Sequence, residues 1–127
     1  MEWIITKREK FLNSFIEVSG AFLGGDILLC LQGGEKPHIG CVIQAIPRPS
    51  LLKDGSISVT SSVLNVTGHK DEVLCRTLAH QVCSVVHRVV VCTGGFHMDN
   101  ITMEQIEELT KLTNLLGSQI AEEFKRI

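Results

Sequence analysis

The sequence predicts an α+β fold: a four-stranded antiparallel meander followed by helix, strand and helix, in the order β-β-β-β-α-β-α, with both helices packed on one sheet face. Three observations carry that prediction. Apolar and polar residues alternate through much of the first half, apolar spacing changes to three and four from Asp71 onward, and the β-branched run Val89-Val90-Val91-Cys92 interrupts the helical pattern before it resumes. A length of 127 residues suits one hydrophobic core, so residues 1–127 are expected to form a single domain.

The first strand is read at Phe15 to Phe22, where Ile16, Val18, Gly20 and Phe22 alternate with Glu17 and Ser19. Gly24-Gly25-Asp26 separates it from Ile27 to Gln32, a turn composition that signals a hairpin. The third strand, Cys41 to Ile46, stops at Pro47-Arg48-Pro49, because proline has no N–H to give to a ladder. The fourth, Ser56 to Val63, turns Ile57, Val59 and Val63 to one side. The first helix then presents Leu74, Leu78, Val82, Val85 and Val86 as its core stripe. Val89 to Cys92 is a buried central strand bounded by Gly94-Gly95. The last helix opens with capping-box spacing at Thr102 and Gln105, a staple of Ile101 and Ile106, and a face of Ile106, Leu109, Thr113, Leu116 and Ile120. The uncovered sheet face is left for solvent or another subunit, and a homodimer or higher oligomer is expected.

Composition removes several function classes. With 12 Lys+Arg against 14 Asp+Glu the net charge is −2, which gives no general attraction to nucleic acid or anionic lipid. No segment approaches the roughly 18–20 unbroken apolar residues of a membrane helix. The N-terminus lacks the basic-then-apolar pattern of a secretory signal. The five cysteines are odd in number and contain no Cys-x-x-Cys pair, which suits neither a disulfide framework nor a zinc ribbon. A reduced, cytoplasmic protein is expected. Cys75 and Cys92 read as small core residues, and His80, Cys83 and His87 as an exposed or subunit-facing helix surface opposite the core stripe.

The chemistry-bearing residues gather in three glycine-flanked loops. Gly33-Gly34-Glu35-Lys36-Pro37-His38-Ile39-Gly40 holds His38, Gly68-His69-Lys70-Asp71 leads into the first helix, and Gly94-Gly95-Phe96-His97-Met98-Asp99 leads out of the buried strand. All three can converge on one rim. Two readings follow. Histidine ligates divalent metals or moves protons near neutral pH, so His38, His69 and His97, assisted by Asp71 and Asp99, form a candidate metal set. Alternatively, Lys36 and Lys70 with backbone N–H groups at Gly33, Gly34, Gly94 and Gly95 form a rim for a phosphate-bearing ligand. Asp71 also has a plain role, since a carboxylate beside a helix N-terminus is favourable in itself. No Gly-x-Gly-x-x-Gly, Walker loop, Gly-x-Ser-x-Gly elbow or cysteine-protease signature is present, so a nucleophilic hydrolase is not supported.

The segments Gly33-Gly34 with Pro37-His38-Ile39-Gly40, then His69-Lys70-Asp71-Glu72-Val73-Leu74, then Gly95-Phe96-His97-Met98-Asp99-Asn100-Ile101-Thr102 with Gln105-Ile106 resemble the LpdD-like prenylated-flavin chaperone family. The resemblance covers residues 15–125. It implies an accessory protein that binds, delivers or helps mature prenylated FMN for a partner UbiD-type hydroxyarylic acid decarboxylase, without itself decarboxylating a substrate. Carried onto this chain, the implied site comprises His38, His69, Lys70, Asp71, His97 and Asp99 with their glycines.

Overall fold

The alternating segments do fold as strands, in an order that the meander did not anticipate. The computed structural model describes residues 1–66 and 70–127. Within them lie β1 (Ile5–Phe11), β2 (Ser14–Leu23), β3 (Asp26–Gly34), β4 (Cys41–Pro49), β5 (Ile57–Asn65), α1 (Lys70–Val86), β6 (Val90–His97) and α2 (Met103–Arg126). The strands form one mixed sheet in the order β1-β2-β3-β6-β4-β5. β6 pairs parallel to β3 and antiparallel to β4, so the last strand fills a slot between the third and fourth. That corrects the predicted four-stranded meander. The reason is burial: a strand as apolar as Val90-Val91-Cys92 gains most in the middle of a sheet, where both its neighbours and the helices cover it.

β1 escaped the sequence pattern because its middle is charged. Only Ile5 and Phe11 are buried, while Lys7, Arg8, Glu9 and Lys10 lie between them. Two of those charges are engaged: Lys7 pairs with Glu123 of α2 at 3.2 Å, and Arg8 lies beside Glu17 at 3.2 Å and over the Phe15 ring at 3.9 Å. Phe11 reaches the centre of the fold through an edge-to-face contact with Phe96, centroids 5.7 Å apart.

One face of the sheet carries the core. Ile16, Val18, Leu29, Leu31, Ile43, Val90 and Cys92 are fully buried against Leu74, Leu78 and Val82 of α1 and Leu109, Leu116 and Ile120 of α2. Each such aliphatic contributes about 1.5–3 kcal/mol by leaving water. The buried stripe of α1 also includes Cys75, Ala79 and Cys83. These small side chains let the helix lie close to the sheet, and they place Cys83 in the core rather than on the outward face expected for it. His80, half-buried, bonds the Ser61 hydroxyl across 3.0 Å, and His87 lies past the helix end at φ 55°, its N–H donating to the Cys83 carbonyl. α2 begins as predicted: Gln105 N–H donates to the Thr102 hydroxyl and Thr102 N–H to the Gln105 side chain. Among the described residues no helix is long and apolar enough to cross a membrane.

Gly94 sets the spacing at the centre of the sheet. Its φ is 131°, and a Cβ there would lie 1.8 Å from the Leu31 carbonyl oxygen, which belongs to the paired backbone and cannot move aside. Gly94→Ala is therefore expected to cost about 3 kcal/mol or more. Urea denaturation checks this; a variant within about 0.5 kcal/mol of the parent, the range of neutral surface changes, would show that the strand spacing is not fixed there.

Candidate functional site

The insertion of β6 decides what meets what. β3 ends at Gly34 opposite His97, and β4 begins at Cys41 opposite Gly94, so the six residues that join them must cross the end of β6. The crossing is tied down at both sides, by Glu35 N–H to the His97 carbonyl at 2.7 Å and by Gly40 N–H to the Gly94 carbonyl at 2.9 Å. His38 is thereby laid over the end of the strand that carries His97. The two rings sit edge to face with centroids 6.5 Å apart. The N-terminus of α1 enters the same space with Lys70 and Asp71, and the β6–α2 connection adds Asp99.

Asp71 is the buried member of this cluster. Its Oδ1 accepts the Phe96 N–H at 2.9 Å and its Oδ2 lies 3.0 Å from His38 Nε2. Two glycines make room for the carboxylate: a Cβ on Gly40 would fall 2.1 Å from Asp71 Oδ2, and one on Gly95 would fall 3.0 Å from it and 2.7 Å from His38 Nε2. His38 is held from its other side as well, its Nδ1 being 2.9 Å from the Lys36 carbonyl. Both partners are acceptors, so a ring carrying both hydrogens satisfies them together. His97 is arranged differently. Its Nε2 lies 2.9 Å from Asp99 Oδ1, an exposed carboxylate, and its Nδ1 makes no hydrogen bond among the described residues. The bond from His97, with the nearby charge of Lys36, holds the Asp99 carboxyl below its ordinary value.

The predicted loops are thus reached in part. His38, His97, Asp71 and Asp99 come together; His69 and Gly68 lie outside the described residues. The glycine pairs are not loop residues: Gly33 and Gly34 close β3, and Gly94 and Gly95 lie inside β6, each in the β3–β6 ladder. Lys70 stands half-buried with its ammonium 5.5 Å from the Phe96 ring centroid, and it also lines a groove of about 230 Å³ with Val73, Ile106 and Thr110. Among the described residues the candidate metal set does not assemble: His38 and His97 are each bound to a carboxylate, and no three His, Cys, Asp or Glu side chains are placed to hold a metal ion. Sequence reasoning missed the role of Gly40 and left Asp71 between assisting the histidines and helix-end electrostatics; the structure has it both at the start of α1 and bonded to His38. The available signal is Gly40, two residues after His38.

Beneath this cluster the cysteines form a chain of thiols rather than a reactive centre. Cys41 bonds Cys75, and Cys75 bonds Cys92, all three buried. The bond to Cys75 and burial push the Cys41 thiol far above its usual range. Cys75 is also raised: its bond with Cys41 acts the other way, but the bond with Cys92 and burial outweigh it. Burial pushes Cys83 up to about 11, and burial with the charge of Glu17 raises Cys30, which is partly exposed on the opposite sheet face. These are thiols without thiolate character at neutral pH.

The fold and the sequence can now be set beside known proteins. The architecture is shared with a chain of the structure titled "Crystal Structure of a Novel Chaperone Complex for Yeast 20S Proteasome Assembly", at a TM-score of 0.56 and 12% identity, covering 95% of this chain and 97% of that one; at such identity the likeness is one of fold alone. Protein LpdD of Lactiplantibacillus plantarum is 28% identical over 100 residues, which span 77% of this chain and 68% of that protein. Residues 12–125 match the family described as Prenylated flavin chaperone LpdD-like domain. The chain belongs to that family.

Two measurements check the site. Asp71→Ala is expected to destabilise by about 2–4 kcal/mol, because it strands the buried Phe96 N–H and releases His38, whereas Asp71→Asn keeps an oxygen for Phe96 and loses less. Equal urea midpoints for Asp71→Ala and the parent would refute the bracing role. In a thiol-reagent assay at neutral pH, Cys30 is expected to react slowly in the native protein and the other four cysteines only on unfolding. Rapid reaction at Cys41 or Cys75 would contradict the buried chain.

Proposed function

We propose that this chain is a non-catalytic accessory protein that binds prenylated FMN through the rim formed by His38, His97, Lys36 and Lys70, and passes it to, or holds it in, a partner UbiD-type decarboxylase. Family membership over residues 12–125 carries the chaperone role. One geometric observation favours binding over catalysis: among the described residues the cluster contains no activated nucleophile, since the nearby Cys41 and Cys75 thiols are buried and protonated.

The donor set fits such a ligand. Lys36 and Lys70 offer ammonium groups to a phosphate, the groove beside Lys70 offers Val73 and Ile106 to an apolar portion, and the histidine pair offers ring edges and the His97 Nδ1 to a heterocycle. His69 is included in the proposed rim on its position next to Lys70 in the sequence. Gly33, Gly34, Gly94 and Gly95 contribute by keeping β3 and β6 close enough for the rings to meet. When bound, prenylated FMN supplies the partner's decarboxylation chemistry; this chain's residues bind, orient and release it. We further infer a cytoplasmic homodimer or higher oligomer, with the sheet face away from α1 and α2 as the surface open to a second subunit or the partner.

Co-expression with a UbiD-type decarboxylase tests this reading. The flavin absorbance of the purified decarboxylase is expected to fall several-fold when this chain is omitted or carries Lys70→Ala with His97→Ala. Full flavin content in its absence would overturn the proposal.

A further inference from the structure

We propose that the two histidines divide the work: His97, oriented by Asp99, presents an Nδ1 without a partner among the described residues, which accepts a hydrogen bond from a ligand N–H, while His38 belongs to the framework and touches no ligand through its ring nitrogens. This rests on the flavin reading above, and the donor it names is the imide N–H of the flavin ring.

Exposure does not separate the two residues, since their side chains are 39% and 43% accessible. Hydrogen bonding does. His38 has both nitrogens committed, to the Lys36 carbonyl and to Asp71 Oδ2, and its withdrawal would leave a buried carboxylate oxygen without that partner. Among the described residues His97 has one nitrogen committed and one open. Asp99, ionised at neutral pH, accepts only, so Nε2 carries a ring hydrogen, and in the neutral ring Nδ1 keeps its lone pair. The backbone beneath this ring is fixed, since His97 pairs with Gly34 in the sheet and its carbonyl takes the Glu35 N–H. A side chain on a paired strand, with its tautomer set by a carboxylate, is a preorganised acceptor. An acceptor nitrogen selects a donor. Phosphate and carboxylate oxygens have none at neutral pH, so they belong beside Lys36 and Lys70, whereas a flavin imide has an N–H to give. Asp99 is accordingly a positioning residue.

Long-range ¹H–¹⁵N NMR on protein labelled at histidine reads the tautomers directly, with His97→Ala and His38→Ala assigning the signals. The free protein is expected to show His97 with its hydrogen on Nε2 and His38 with hydrogens on both nitrogens. On titration with FMN, the His97 Nδ1 resonance is expected to move and the His38 resonances to stay. The FMN Kd is expected to rise about tenfold in His97→Ala and Asp99→Ala, the loss of one hydrogen bond, and to stay within about twofold in Asp99→Asn, whose oxygen still accepts from Nε2. A hydrogen on His97 Nδ1, an FMN response at His38 alone, or unchanged binding by Asp99→Ala would overturn the proposal while leaving the flavin reading intact. FMN that fails to bind the parent protein would overturn the ligand contact together with that reading, and the tautomer of the free protein would still decide the role of Asp99.

Discussion

The histidine–carboxylate cluster at the end of β6 depends on one buried carboxylate. Asp71 connects three segments that are distant in sequence: the start of α1, on which it sits, the end of β6 through the Phe96 N–H, and the β3–β4 crossing through His38. It is largely buried, so the bonds it makes are costly to lose. The glycines at 40 and 95 are the other half of this arrangement, because any side chain there would occupy the carboxylate's place. Helix placement, strand ending and loop path are thus set by a single group at a helix N-terminus, where negative charge is favoured anyway.

Much of this was legible in the sequence, and the parts that were not have identifiable causes. The alternation at Phe15 to Phe22 and the capping box at Thr102 and Gln105 are local signals, and both appear where local reasoning puts them. β1 was hidden because Lys7 and Arg8 find partners on α2 and β2, which no local pattern reveals. The place of β6 was hidden for the same reason, since parallel pairing with β3 joins residues some sixty positions apart. Within the site, His38 and His97 announced themselves as histidines in unusual loops. Their different carboxylate partners did not, because Asp71 lies 33 positions from His38 whereas Asp99 lies two from His97.

Under the proposed accessory role, the histidine–carboxylate cluster holds a ligand rather than transforms it. Catalysis by such groups needs a ring nitrogen that both takes and returns a proton beside a reacting atom. His38 is spent on structure, and the sulfur atoms below are locked among themselves under the sheet. What remains facing outward is a small set of fixed donors and acceptors on paired strands and a helix start, which is how a binding surface keeps its shape between one ligand and the next.

The late arrival of β6 has a consequence for how the chain comes to be made. The hairpin units β1-β2-β3 and β4-β5 contain only neighbouring pairings and can close as soon as they leave the ribosome, but between them an open slot must persist until α1 and then β6 are synthesised. Until that moment β3 and β4 each present an unpaired edge, and His38 has no His97 to lie against. The cluster of His38 with His97 therefore assembles only after every other strand has been made, and a chain truncated before His97 keeps five of the six described strands and cannot bring the two rings together.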